Sequence, residues 1–196
     1  MALHPETKVV TKALEAIREV QRLGGGIEKV EAELVGQAEP VDRLLSLLRG
    51  EWMLSVQGYF VNHRPDSAYA RLDEEYKIQD LVYCLASTVV PDLHYENPQE
   101  KTRGALTSTR VDFSSRTAGI FLEVKLASGK HQAKKVESEI SEDIVKYGRN
   151  RSFGTLVFFV FCHDYAFPNA REFELGLTGA KVIGEHRFQT FCVVKP

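Results

Sequence analysis

The spacing of apolar positions changes along the chain. In the first 70 residues it is helical: Val9, Val10, Ala13, Leu14, Ile17, Val20 and Leu23 recur on one stripe. Gly24-Gly25-Gly26 ends that stripe. A second short helix is predicted from Ile27 to about Val35. A third begins near Pro40, which suits a first helical turn, and turns Val41, Leu44, Leu45, Leu47 and Leu48 inward. The stretch 62–67, Asn-His-Arg-Pro-Asp-Ser, reads as a loop.

Beyond residue 70 helical and strand patterns alternate. Leu72 to Val90 is an amphipathic helix with Asp73, Glu74 and Glu75 near its positive end, and Pro91 stops it. Leu93 to Glu96 reads as a short strand. Thr107 to Ser114 and Ile120 to Leu126 read as two strands joined around Arg116-Thr-Ala-Gly119. Lys130 to Tyr147 is a charged helix with Val136, Ile140, Ile144 and Tyr147 on one stripe. Thr155 to Cys162 is apolar on both faces, as a central strand would be. A last helix over Asn169 to Leu177 and one or two strands within Lys181 to Val194 follow. The order predicts an α/β fold with a mixed sheet flanked by helices, over residues 71–196, preceded by a helical N-terminal region over residues 1–70.

Composition narrows this picture only in part. The chain has 196 residues and is 43% hydrophobic, so it can build a real core. Its longest apolar run, Leu156 to Cys162, is too short to span a bilayer. Residues 1–6 lack the basic start and long apolar stretch of a signal peptide. Three widely spaced cysteines, Cys84, Cys162 and Cys192, fit buried thiols in a reducing cytoplasm, not a disulfide framework. The net charge of -2 gives no general affinity for nucleic acid, but local basic clusters can still track a phosphate backbone.

The chemistry lies in the predicted hairpin. Paired residue numbers in an antiparallel hairpin have a constant sum. Closing the chain between Thr117 and Ala118 sets Asp112 opposite Glu123, with Cβ atoms within about 5 Å. Lys125 is two residues on and shares the face of Glu123. Val111, Phe113, Leu122 and Val124 take the other face. Two carboxylates so close repel unless a cation neutralises them, and Mg²⁺ with oxygen ligands is the natural choice. The backbone carbonyl of Val124 is a further candidate ligand. Lys125 can orient a water or stabilise charge on a phosphate. The plain alternative is a surface salt-bridge ladder, since Glu-x-Lys is common in strands.

Other charged residues have two readings each. Pro91-Asp92 is a literal Pro-Asp ahead of Glu123-Val-Lys125, but it cannot reach Glu123 through a simple hairpin, so Asp92 reads as a turn or helix-end residue. Glu75 either complements the helix dipole or points at the metal, and Glu96 either ends a strand or lines the site. Lys130, His131, Lys134 and Lys135 form either a solvated helix face or a phosphate contact. Lys101, Arg103 and Arg116 flank the hairpin, where they could enter a groove of the nucleic acid. His163-Asp164 follows the buried strand without a nucleophile motif, and reads as strand-end residues.

Several pieces occur in order: Glu75-Tyr-Lys-Ile-Gln79-Asp80-Leu, Tyr95-Glu96, Arg110-Val-Asp112-Phe113, Ile120-Phe-Leu-Glu123-Val-Lys125, Glu142-Asp143-Ile-Val-Lys-Tyr147, Leu156-Val-Phe-Phe-Val and Asn169. Together they resemble the DpnII/MboI-type branch of the PD-(D/E)xK nucleases, from about Glu75 to Leu177. One departure is Ser114-Ser115-Arg116, where the family has apolar residues, which makes the hairpin tip more polar.

The resemblance implies a restriction-endonuclease-like core and Mg²⁺-dependent cleavage of DNA, with Mn²⁺ as a substitute. It gives the metal to Asp112 and Glu123, the catalytic lysine role to Lys125, and support to Glu75, Gln79, Glu96 and Arg110. It also implies a cytoplasmic setting in restriction or anti-phage defence, with a sensor or NTPase partner. Residues 1–70 are then expected to dock a partner or to assemble at least a dimer, supplying two active sites for two strands. The competing expectations are a binding module that keeps this fold without turnover, and an interaction protein centred on residues 1–70.

Overall fold

A computed structural model describes residues 40–95, 111–128, 132–162 and 169–195. The helices expected over 9–23 and 27–35 lie outside these residues. So do Glu96, Lys101, Arg103, Arg110, Lys130, His131, His163 and Asp164, and the start of the strand expected from Thr107.

The chain divides into two compact units at Val89 and Val90. In the first, the described elements are α1 (Pro40–Arg49), α2 (Trp52–His63), a 3-10 turn (Ala68–Ala70) and α3 (Glu75–Val89). Leu44, Leu45, Leu47 and Leu48 of α1 are buried, as their spacing predicts. Trp52, Met53, Val56 and Phe60 form the buried side of α2. The Trp52 indole donates to the Leu47 carbonyl at 2.7 Å, which ties α2 to the end of α1. Helix α2 runs through Asn62 and His63, so the loop predicted from Asn62 starts two residues later.

Helix α3 starts at Glu75 instead of Leu72. The reason is local. Lys77 Nζ donates to the Arg71 carbonyl, an acceptor that a helix starting at Leu72 would use, and its ammonium also pairs with the Asp73 carboxylate. The helix ends before Pro91, as a residue lacking an N–H requires.

Among the described residues, the second unit holds a six-stranded mixed sheet in the order β1-β2-β3-β4-β6-β5. The strands are β1 (His94–Tyr95), β2 (Phe113–Ser115), β3 (Ile120–Ala127), β4 (Thr155–Cys162), β5 (Gly179–Ile183) and β6 (His186–Lys195). The described helices of this unit are α4 (Gln132–Tyr147) and α5 (Ala170–Leu177). Strands β3, β4 and β6 are parallel; β1, β2 and β5 run antiparallel to their neighbours. Strand β4 is central and buried on both faces, which accounts for its unbroken apolar run.

Helix α4 is the crossover between β3 and β4. Its stripe of Val136, Ile140, Ile144 and Tyr147 packs with Phe121 and Ala127 of β3 and with Leu156, Phe158 and Val160 of β4. In the parallel register Glu123 lies beside Phe158 and Lys125 beside Val160. Glu123 and Lys125 therefore share the sheet face on which α4 lies. Truncating a core member such as Phe158 to Ala would cost roughly 3–5 kcal/mol. Val111 also joins this cluster, contrary to the alternation expected for it, because the chain bends at Asp112 and the strand begins only at Phe113.

Candidate active site

The hairpin register determines what can meet. Phe113 pairs with Leu122, Ser114 with Phe121 and Ser115 with Ile120, which is the constant sum expected from closure between Thr117 and Ala118. Arg116–Gly119 makes the turn. Gly119 sits at φ 62, a conformation that side chains with a Cβ rarely adopt. Its carbonyl accepts from the amides of Gly154 and Thr155 at 2.9 and 3.0 Å, at the start of β4.

Asp92 fastens the other side of the turn. Its Oδ1 accepts from the Ser115 hydroxyl at 2.6 Å and its Oδ2 from the Thr117 amide at 2.9 Å. Ser115 Oγ in turn accepts from the Ala118 amide at 3.0 Å. These bonds favour the charged form and hold the Asp92 carboxyl down at about 2. The polar Ser114-Ser115-Arg116 tip thus has a structural use: Ser115 is the buried peg that Asp92 grips.

One step beyond the paired residues, Asp112 meets Glu123. The Asp112 amide donates to Glu123 Oε2 at 3.2 Å, and Asp112 Oδ2 accepts from the Val124 amide at 2.8 Å. Within a strand a residue's N–H and C=O leave on the same side, so the Val124 carbonyl also faces the Asp112 side. Glu123 is only 6% exposed. Burial raises its pKa to about 7, and the Asp112 charge adds to the rise against the opposing pull of Lys125.

Lys125 stands between two carboxylates. Its Nζ is 2.9 Å from Glu123 Oε1 and 2.9 Å from Asp143 Oδ2 on α4. Burial opposes its charge, but Glu123 and Asp143 outweigh that and hold the ammonium above the ordinary lysine range. Tyr147, one turn after Asp143, donates its hydroxyl to Glu123 Oε2 at 3.1 Å. Burial, with Glu123 beside it, keeps the phenol protonated well above its usual range.

Asp112, Glu123 and Lys125 are thus brought together. Glu75 and Gln79 lie in the first unit, one turn apart on α3, with Gln79 Nε2 at 3.5 Å from Glu75 Oε1. Lys134 and Lys135 are exposed on α4, and Lys135 pairs with Glu139 at 3.4 Å. Arg116 is exposed at the hairpin tip. Sequence reasoning gives Asp143 and Tyr147 no role at the site. A signal for them is nonetheless present: an acid four residues before Tyr147, interrupting the buried stripe of a helix that follows Glu123-Val-Lys125.

Among the described residues, no group of three or more His, Cys, Asp or Glu side chains is gathered to hold a metal ion. The donor set nonetheless suits a small hard cation. Mg²⁺ is commonly held by one or two carboxylates together with waters and substrate phosphates, not by an all-protein cage. Asp112, Glu123 and the Val124 carbonyl are oxygen donors of that kind, and a raised, repelled carboxyl is what a divalent cation would relieve. No helix among the described residues is long and apolar enough to cross a membrane.

The model of the DpnII-MboI restriction endonuclease family matches residues 47–193. The match takes in residues 47–70, ahead of the region that carries the motif resemblance. No curated protein and no solved structure matches. A match over that much of the chain shows the family.

Proposed function

We propose that this chain, which belongs to the DpnII-MboI restriction endonuclease family and by that membership is a DNA nuclease, is a Mg²⁺-dependent endonuclease. The observation that supports this reading is the joining of Asp112 to Glu123 across the hairpin, with Lys125 on the same face. Asp112, Glu123 and the Val124 carbonyl would hold the metal, with Mn²⁺ able to replace it. A divalent cation, when bound, supplies a Lewis acid that polarises the phosphate and eases loss of a proton from water.

The chain's own groups do the rest. Lys125 is fully charged and hydrogen-bonded in advance, so its ammonium can meet charge developing on the scissile phosphate without reorganising. Its neighbours exclude bulk water, which strengthens that interaction. Asp112 is fixed by the Val124 amide, so its carboxylate keeps one orientation. Exposed Arg116, Lys134 and Lys135 are suited to backbone phosphates, which set position but not sequence. A restriction or anti-phage setting, an assembly of at least two copies and an activating partner complete the reading.

The test is incubation of supercoiled and linear DNA with the purified chain and MgCl₂, beside Lys125→Ala and Asp112→Ala. Cleavage by the wild type and its loss in both variants, and with EDTA, is the result expected. Equal cleavage by all three would sink the assignment. DNA binding without any cutting would favour a non-catalytic module.

A further inference from the structure

We propose that Asp143 is the positioning residue for Lys125: from helix α4 it holds the ammonium that Glu123 also contacts, while Tyr147 holds the Glu123 carboxylate. The proposal rests on the reading that Lys125 acts at the scissile phosphate. Both side chains of the Lys125–Asp143 pair are 13% exposed. Removing two ions from water is costly, and Asp143 Oδ2, which is buried and makes no aligned hydrogen bond, has the charge of the Lys125 ammonium at 2.9 Å to offset that cost. Asp143 interrupts the helix face that carries Val136, Ile140, Ile144 and Tyr147, where an apolar residue would pack at no such cost. A buried acid there has a direct physical reason, the ammonium 2.9 Å away.

The second partner matters because the first is shared. Glu123 Oε1 accepts from Lys125, and Oε2 accepts from Tyr147 and from the Asp112 amide. Any cation that Glu123 binds draws on the same oxygens. Asp143 keeps a carboxylate on Lys125 whatever Glu123 does. Lys146, at 3.8 Å from Asp143 Oδ1 and 4.7 Å from the centre of the Tyr147 ring, steadies the far side. Asp143 and Tyr147 lie four apart on α4, so one helix face delivers both contacts.

The test uses the full chain. Nitrogen-resolved NMR of the lysine ammonium groups, without metal, should show Lys125 Nζ restricted in the wild type. In Asp143→Asn it should become mobile, and in Asp143→Glu it should be partly restricted again. In single-turnover cleavage of supercoiled plasmid with MgCl₂, Asp143→Asn should slow the reaction on the order of 10²-fold, as misplacement of a catalytic group does. DNA affinity measured with CaCl₂ should not change. Lys125→Ala/Asp143→Asn should be no slower than Lys125→Ala alone.

An unchanged Lys125 signal in Asp143→Asn, or wild-type cleavage by that variant, would overturn the positioning role and leave Lys125 in place. Rate losses that multiply in the double variant would also overturn it. Wild-type cleavage by Lys125→Ala would remove the reading beneath it as well. If Asp143→Asn does not fold, Asp143→Ser decides: a folded enzyme that is slowed supports the proposal, and an undiminished rate ends it.

Discussion

The backbone amide of Asp112 donates to the side chain of Glu123, while the side chain of Asp112 accepts from the backbone next to Glu123. Each acid is thus oriented by backbone at or next to the other. Removing the Asp112 carboxylate should therefore do two separable things. Asp112→Ala should abolish Mg²⁺-dependent cleavage, by about 10²-fold or more, as the loss of a group aimed at developing charge does. It should also leave the Val124 amide without its acceptor, at about 1–3 kcal/mol. Asp112→Asn keeps the acceptor and should be inactive but nearly as stable. Plasmid cleavage alongside chemical denaturation checks both halves.

Glu123 predicts a pH dependence of stability in the metal-free protein. Its folded pKa, about 7, lies above the ordinary value of 4.5, so the folded state favours the neutral acid. The contribution is fully present below pH 4.5, declines as pH rises, and is lost above pH 7. Melting temperature in EDTA should therefore fall between about pH 5 and pH 8, and Glu123→Gln should flatten that fall. Added MgCl₂ should raise the melting temperature more at about pH 8 than at pH 5, because it competes with the proton.

Asp92 predicts the opposite sign at lower pH. Its pKa is depressed to about 2, so its grip on the turn is present above about pH 4 and is lost as pH falls towards 2. Asp92→Ala should destabilise by about 1 kcal/mol at neutral pH, because the buried Ser115 hydroxyl loses its acceptor while the exposed Thr117 amide turns to water. Hydrogen exchange should quicken first at Thr117 and Ala118. Unchanged exchange there would show that the clasp is not what holds the turn.

Gly148 predicts a packing limit. A Cβ at this position would lie 2.6 Å from Ile183 Cγ1, 2.7 Å from the Ile144 carbonyl and 2.9 Å from Phe188 Cε1. Gly148→Ala should cost about 1–3 kcal/mol, the usual range for overpacking. At Gly58 an added methyl would meet nothing within 4 Å among the described residues, so Gly58→Ala should be accepted freely and serves as the control in the same melts.

How far the sequence can be read depends on the range of each interaction. Strand β4 is legible because burial on both faces leaves an unbroken apolar run. The meeting of Asp112 and Glu123 is legible because a hairpin is local and its arithmetic is fixed. Asp143 is not, because its partner lies across a crossover, and a charge on a helix reads equally well as solvated surface. The start of α3 escapes the pattern because Lys77, from within the helix, takes the Arg71 carbonyl that an earlier first turn would use. Val111 falls on the face opposite to the one alternation predicts, because period two fails at the bend at Asp112.

The hairpin is gripped from outside on both sides of its tip, by Asp92 before it and by the amides of Gly154 and Thr155 after it. Those grips act as a phase lock. A sheet slipped by one residue would turn Leu122 and Val124 towards α4 and drive Glu123 and Lys125 into the opposite face, where Leu122 and Val124 are now fully buried. Such a slip would leave a sheet of the same strands with no chemistry on the α4 face. What distinguishes a nuclease from an inert sheet here is one residue of phase, and the contacts that guard it lie at the turn, several residues away from the acids themselves.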